Sequence, residues 1–503
     1  MSFEQLITIA SLSDPNKPKY QAIADDLAQS IVAGQFAVGE KLPPQRDLAL
    51  RLGVTAGTIS RAYASLERQG LASARVGDGT YVRAVDPRTP SPDAAPLSLP
   101  IDLAHNVAIP TEDALALKRA FETLSLDHEV LKQVLSYQPE AGLMRHRHAG
   151  AQWLQRFGTS GQASRVMVTH GAQHGLACVL RTLARPGDTV LTESLSYPGL
   201  QALARSMRLQ LIGVEMDADG MVPQALERAA KTYDTKFMYC SPSLHNPTGT
   251  TMPIARREAI AAVARRCNLW VMEDCVHAAA QASPLPALST WLPDRSFLLS
   301  SFSKVIAPGL RVGFLEAAPE WLDKLAGSIR ADSWMVAPLM PEIASHWIHS
   351  GELDHLIGLQ RQAIAERLHV AKAALSGLDF QSDHDYPLLW MPLPEPWRAG
   401  QFAAALRHAG VLVRTADHFA VGRSAAPHAI RISLNSPATL EQLTSGLTVL
   451  KNLLDGPPTA SMDPRNGAQL SHSAQVFADD AGQLKHGGLV LAEHRLQLAI
   501  GLD

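Results

Sequence analysis

The sequence predicts a chain of two bodies: a small helical head closed by a β-hairpin, and a larger α/β body on a mostly parallel sheet. Three observations carry this. At 503 residues the chain exceeds one ordinary domain. From Asp86 to Pro100 it reads DPRTPSPDAAPLSLP, and proline at that density sustains neither a helix nor a central strand. Beyond Asp102, apolar runs of strand length alternate with helical stretches, the pattern of a parallel sheet covered on both faces.

Composition is that of a soluble globular protein, with 46% hydrophobic and 18% charged residues. The net charge of −3 is unevenly spread: Lys17–Arg83 carries nine basic and six acidic residues, a balance of +3. A mildly basic head on an acidic body suits a nucleic-acid-binding module. Cys178, Cys240, Cys267 and Cys275 lack pairing or metal-ligand spacing and read as reduced, mostly buried thiols. No secretory signal and no membrane-length apolar stretch is visible, so a cytoplasmic chain is expected.

In the head, Ile23, Leu27 and Ile31 form one stripe of a helix from Tyr20 that Gly34 ends. Leu42-Pro43-Pro44 opens a second helix, Gln45 to Leu52, stopped by Gly53. A third starts at Thr55 as N-cap and runs through Ile59, Ala62, Tyr63 and Leu66 to Gly70. Two short helices across a tight glycine turn make a helix-turn-helix. Leu71 to Val82 then alternates around Val76-Gly77-Asp78-Gly79, a hairpin that serves as a wing.

The segment LPPQRDLALRLGVTAGTISRAYASLERQGL, followed by RVGDGTYV, resembles the GntR family of winged-helix regulators. The resemblance implies DNA binding, with Arg46 and Arg61 on phosphates or base edges, Thr55 and Thr58 on the backbone or in the major groove, and Gly77 letting the wing near the minor groove. Ala56 and Gly57 stand where relatives often carry larger polar residues, so readout is expected to lean on DNA shape.

In the body, strands are expected at Val166-Met-Val, Thr189-Val-Leu, Lys236-Phe-Met-Tyr, Leu269-Trp-Val-Met and Phe297-Leu-Leu. Lys304, in Ser-Ser-Phe-Ser-Lys, is followed seven residues on by Arg311 and preceded by His245-Asn-Pro-Thr-Gly and Glu273-Asp274. An amine, an amide, an acid and a phosphate clamp thus stand in the order a pyridoxal 5′-phosphate site needs. The stretch from about Leu103 to Leu454 resembles fold-type I enzymes of the aspartate aminotransferase group, with large and small subdomains.

That resemblance implies the following roles. Lys304 forms the imine; Ser301, Ser303 and Arg311 hold the phosphate, with Gly171, Ala172 and Gln173 at a helix start beside it. Asp274 pairs with the pyridine nitrogen, Asn246 donates to the ring hydroxyl, and Tyr197 stacks on the ring. Arg431 takes a substrate or effector carboxylate. His277 departs from the tyrosine expected near the ring hydroxyl, and its ordinary pKa of roughly 6.5 predicts a pH-sensitive contact. Cys275 stands where a second acid is common. His146 with His148, and His170 with His174, lack the companions of a zinc site, so no metal is expected.

The order of parts resembles the MocR subfamily of regulators, which implies homodimers reading a two-part operator. The expected boundaries are 16–84 for the head, 85–101 for the linker, 102–455 for the body and 456–503 for a tail. The resemblance implies that a small amine or amino-acid effector forms an external aldimine in place of Lys304 and alters operator binding. A working aminotransferase with an appended head, and a regulator sensing pyridoxal phosphate itself, stay open alongside it. So do turnover, the effector and the sign of regulation.

Overall fold

The computed structural model describes residues 19–32, 36, 39–68, 72–75, 79–82, 100–422 and 425–456. The chain divides into two compact units, 1–97 and 98–503. Gly34, Gly77, residues 83–99 of the proline-rich stretch and the 457–503 tail lie outside the described residues.

The first unit has helices Lys19–Val32, Gln45–Leu52 and Ala56–Arg68 and a hairpin of Ala72–Arg75 with Gly79–Val82. Gly53 ends the second helix at φ 62°, a left-handed conformation that glycine adopts without penalty. Thr55 Oγ1 accepts from the Thr58 N–H at 3.2 Å, the expected cap of the third helix. The apolar stripe is buried as its spacing required: Ile23, Leu27, Ile59, Ala62 and Leu66 have no exposed surface. Tyr63 joins that core and donates its hydroxyl to Pro43 O at 2.8 Å, which fixes the entry to the second helix.

The second unit is built on a seven-stranded sheet. Its spatial order is Val166–Thr169, Gly313–Glu316, Ser296–Ser301, Trp270–Asp274, Phe237–Cys240, Thr189–Glu193 and Gln210–Val214. Gly313–Glu316 runs antiparallel to both neighbours and the remaining pairs are parallel. The central strands are buried almost along their whole length, which is why their sequences read as continuous apolar runs rather than alternating ones.

The smaller part pairs Leu388–Pro392 with Ala429–Ser433, and the latter with Arg414–Thr415, all antiparallel. Ile101–Asp102 adds a short parallel pairing with Val411–Leu412. The helix Glu352–Ala374 serves both parts: Leu353 and Leu356 enter the core beside the large sheet, whereas Leu368 and Ala371 enter that of the small one. All four cysteines are free, and Cys178, Cys240 and Cys275 are buried.

Arg257 is the buried charge that shapes the loop carrying Asn246. With no exposed surface, it donates to Met252 O, Pro242 O and Pro286 O at 3.0, 3.0 and 3.1 Å and to Ser243 Oγ at 2.6 Å. Glu273, equally buried, accepts from Leu288 N and Ser289 N; burial raises its pKa, and the Arg257 charge and these two donors oppose that rise. Arg257→Ala strands several buried acceptors and one carboxylate, so it should cost about 3–5 kcal/mol. Urea unfolding should show the midpoint falling accordingly; an unchanged midpoint would remove this loop's proposed anchor.

Candidate cofactor and effector site

The parallel strands deliver their carboxyl ends to one edge of the sheet, where ligands of such folds bind. Asp274 ends the Trp270–Asp274 strand there. Its Oδ1 accepts from the Val276 N–H at 2.9 Å and its Oδ2 from the Tyr239 hydroxyl at 2.8 Å. Burial raises its pKa, opposed by these two hydrogen bonds and by the Lys304 charge. A carboxyl poised this way gains from a cationic N–H partner.

Lys304 follows the Ser296–Ser301 strand, and its Nζ donates to Asn106 O at 2.7 Å. Burial, then the charges of Arg431 and Arg311, lower its pKa to about 8, and Asp274 works in the opposite direction. An amine so placed is partly neutral near physiological pH, as a nucleophile requires.

Gly171, at φ 78°, precedes the helix Ala172–Leu183, whose first-turn amides, including those of Ala172 and Gln173, have no intrahelical acceptor. Arg311 lies against this turn, donating to His170 O at 3.2 Å and to Ser303 Oγ at 3.4 Å. A Cβ on Gly171 would sit 3.1 Å from the Arg311 guanidinium, and one on Gly313 would sit 2.7 Å from the Gly171 backbone. Arg311 itself is held at φ 51°, a strained conformation for a non-glycine residue. Ser301 Oγ accepts from the Ser303 N–H at 3.4 Å. This is a cationic turn lined by free backbone amides.

Tyr197 caps the helix Pro198–Ser206, and burial raises its phenol pKa, with the Asp274 charge adding to the shift and the Arg311 charge opposing it. Asn246 Oδ1 accepts from Arg431 Nη1 at 2.9 Å. Arg431 lies in the strand Ala429–Ser433, and its Nη2 donates to Ala104 O. Its Nε is buried without a partner, and its guanidinium lies 5.0 Å over the Phe419 ring. Burial lowers its pKa to about 10, so it stays charged.

One expectation is corrected. Burial, followed by the charges of Lys304 and Arg431, depresses the His277 imidazole to about 3. It is therefore neutral across physiological pH and does not supply the pH-sensitive contact that its ordinary pKa suggested. Its ring packs edge-on against Tyr386 at 5.2 Å.

Several contributors escaped sequence reasoning. Tyr239 sits in an apolar strand, where a buried hydroxyl needs a partner, and that need was the available signal. Behind it, Glu193 is buried and pushed up to about 7 by desolvation, accepting from Ser241 N and Thr192 Oγ1. The segment after Ile101 showed no motif, yet Ala104 and Asn106 bind the two central cations. Tyr386 Oη is buried with no partner. Of the histidines weighed as zinc ligands, His146 pairs with Glu342 at 2.9 Å and His174 with Asp332 at 3.2 Å.

A part-neutral lysine amine, an acid at a strand end and a glycine turn at a helix start are the groups a body of the pyridoxal-phosphate type requires. Comparison with known proteins agrees: residues 101–447 match aminotransferase class I and II, and residues 19–82 match the gntR family of bacterial regulatory proteins. The chain is 31% identical to the HTH-type transcriptional regulator YdeF of Bacillus subtilis, over 88% of this chain and 96% of that one. It is 27% identical to the vitamin B6 salvage pathway transcriptional repressor PtsJ of Salmonella typhimurium, over 82% and 94%. In fold it resembles the Pyrococcus horikoshii kynurenine aminotransferase, with a TM-score of 0.65 at 21% identity over 71% of this chain and 91% of that one.

The chain belongs to the HTH-type transcriptional regulators that join a gntR head to a class I and II aminotransferase body, the MocR arrangement. It is a DNA-binding regulator whose cofactor is pyridoxal 5′-phosphate. The Lys304 amine, the glycine turn at a helix start beside Arg311 and the acid at the strand end fit that cofactor. No described helix is long and apolar enough to cross a membrane.

The depressed Lys304 pKa is checkable without the cofactor. Reaction of its amine with a small acylating reagent, followed by peptide mass spectrometry, should show a pH midpoint near 8. Arg431→Met removes a like charge and should move the midpoint upward. A wild-type midpoint at the ordinary lysine value of about 10.4 would refute the electrostatic account.

Proposed function

We propose that the body senses a small amine or amino acid, and that occupancy of its site alters operator binding by a dimer of the chain. The observation that carries this is one short strap. Residues 101–109 follow the proline-rich stretch directly, and two carbonyls of this strap accept from the two cations that would meet an effector. Asn106 O takes Lys304 Nζ and Ala104 O takes Arg431 Nη2.

When bound, pyridoxal phosphate supplies an aldehyde able to hold a primary amine reversibly. In this reading Lys304 carries the cofactor, Arg311, Ser301, Ser303 and the amides after Gly171 take its phosphate, and Asp274 takes its ring N–H. Asn246 and the neutral His277 serve its ring hydroxyl, with Tyr197 against its face. Arg431 is already committed to Asn246 and Ala104, so an effector carboxylate must displace one of them to be held by two hydrogen bonds. Losing its donor would cost the buried Ala104 carbonyl about 1–3 kcal/mol, which the strap avoids by resettling. The shift in DNA affinity is limited to the effector's preference between the two strap arrangements.

A dimer is supported by a set of exposed apolar side chains in the second unit: Leu126, Leu135, Tyr137, Met144 and Trp334 are each more than half exposed. Exposed apolar side chains in this number, with the Tyr137 and Trp334 rings 5.9 Å apart, suit burial against a second copy of the chain, the occupant in keeping with the family. Two heads would then read two half-sites at a fixed spacing. In the head, Arg46, Thr55 and Arg61 are exposed and Thr58 is partly so, the two threonine hydroxyls lying 2.9 Å apart in a mutual hydrogen bond, so that all four are open to phosphates or bases. Arg61→Ala should weaken binding to all sequences alike and reduce the salt slope by about 1; a change at one base position only would assign it to base readout.

Lys304→Ala tests the reading as a whole. The variant should lose visible absorbance and the borohydride-stable mass increment with pyridoxal phosphate, keep basal DNA binding, and lose its response to amino acids. A retained response would refute sensing through Lys304. A second reading, response to pyridoxal phosphate alone, is favoured by the name of the relative PtsJ. It predicts that the free cofactor changes DNA affinity without any amine.

A further inference from the structure

Asn106 supplies more to the site than its carbonyl. Its side-chain Nδ2 and Oδ1 are both enclosed and neither has a hydrogen-bond partner, while its backbone oxygen accepts from Lys304 Nζ at 2.7 Å. Two residues earlier, Ala104 O accepts from Arg431. The amide thus belongs to a strap held by both the amine and the guanidinium, the two ends of any amino-acid ligand. Two unpaired buried polar atoms on one residue are costly, and sites that persist in this state are those awaiting a partner.

We propose that the Asn106 amide is a specificity-determining group that reads a third polar function on the effector, one that both donates and accepts. The reasoning is an inventory of donors. Arg431 can only donate and so answers a carboxylate, and the effector amine is taken up where Lys304 carries the cofactor, so neither group reads the effector's side chain. A carboxylate oxygen reaching Asn106 would satisfy Nδ2 alone and leave Oδ1 bare. A hydroxyl or carboxamide satisfies both atoms. Tyr386, buried with an unpaired hydroxyl and packed against His277, adds a further polar contact at the same site. The effector class is therefore a small α-amino acid with a hydroxyl or carboxamide side chain, in preference to an apolar one. This rests on the effector reading given above and narrows it to a ligand class.

The test uses the full-length protein loaded with pyridoxal phosphate. L-serine, L-glutamine, L-alanine and L-norvaline are titrated separately while the visible absorbance is followed. Wild type should half-saturate at lower concentrations of the two polar amino acids than of their apolar counterparts. Asn106→Ala should collapse that preference by about ten-fold, the worth of one to two hydrogen bonds. Asn106→Asp, which keeps acceptors and loses the donor, should collapse it in part and covers the case in which the alanine variant does not fold. A residue with a purely structural role would behave differently: removing two unpaired polar atoms would raise or leave the melting temperature and not change the preference. An unchanged preference in both variants, with wild type responding, overturns this proposal and leaves the effector reading intact. A weakened cofactor affinity with unchanged preference likewise overturns it, assigning Asn106 to the cofactor. A wild-type protein indifferent to all four amino acids overturns this proposal, while the effector reading stands or falls by Lys304→Ala.

Discussion

The electrostatic constraint at the centre of the second unit is a part-buried lysine amine near two guanidinium groups of the same sign, Arg431 buried and Arg311 exposed. Lys304 has Arg431 and Arg311 as like-charged neighbours, Asp274 as its opposing charge, and one carbonyl, Asn106 O, as its hydrogen-bond acceptor. An amine with that surrounding is costly to keep protonated and buried. The site is accordingly an anion trap at both ends with a reactive nitrogen between them. Asp274 is held by two hydrogen bonds of its own, which fix its carboxylate plane. The neutral His277 completes the balance: a charged imidazole there would add a third cation, and burial prevents it.

The sheet topology makes that gathering possible. Strands Trp270–Asp274 and Ser296–Ser301 are parallel neighbours, so the acid and the lysine leave adjacent strands at the same edge. The following strand, Gly313–Glu316, runs the other way and therefore begins at that edge. The chain between Lys304 and Gly313 can stay short, and Arg311 reaches the anion turn without a crossover. The left-handed backbone of Arg311 and the bare glycines 171 and 313 are the local adjustments that let two backbones and a guanidinium share this corner.

Much of this was legible in the sequence because its signals are local. Each expected strand run falls in the seven-stranded sheet, and the Gly53 turn and the Thr55 cap fall where glycine and threonine chemistry put them. The antiparallel Gly313–Glu316 strand was not anticipated, since a short buried run carries no sign of its direction. The tuning of the site was less legible. An ordinary histidine pKa was assigned to His277 because enclosure is a tertiary property that no spacing encodes. The strap at Ala104 and Asn106 acts through backbone carbonyls, which every residue possesses, so its sequence carries no signature. Tyr239 and Glu193 look like interruptions in apolar strands until the Asp274 carboxyl appears behind them.

Gln360 lies near the middle of the Glu352–Ala374 helix, and its side chain grips Ile109 by both backbone groups, accepting from the N–H at 3.1 Å and donating to the carbonyl. That helix contributes to both hydrophobic cores, so its midpoint is the place where the two halves of the body turn least against each other. Pinning the strap's far end at such a pivot means that motion of either half reaches the strap as rotation at its base. The other end, toward the proline-rich tether, is tied by the Ile101–Asp102 pairing to Val411–Leu412, so the strap is fastened on both sides of the carbonyls that meet the two cations.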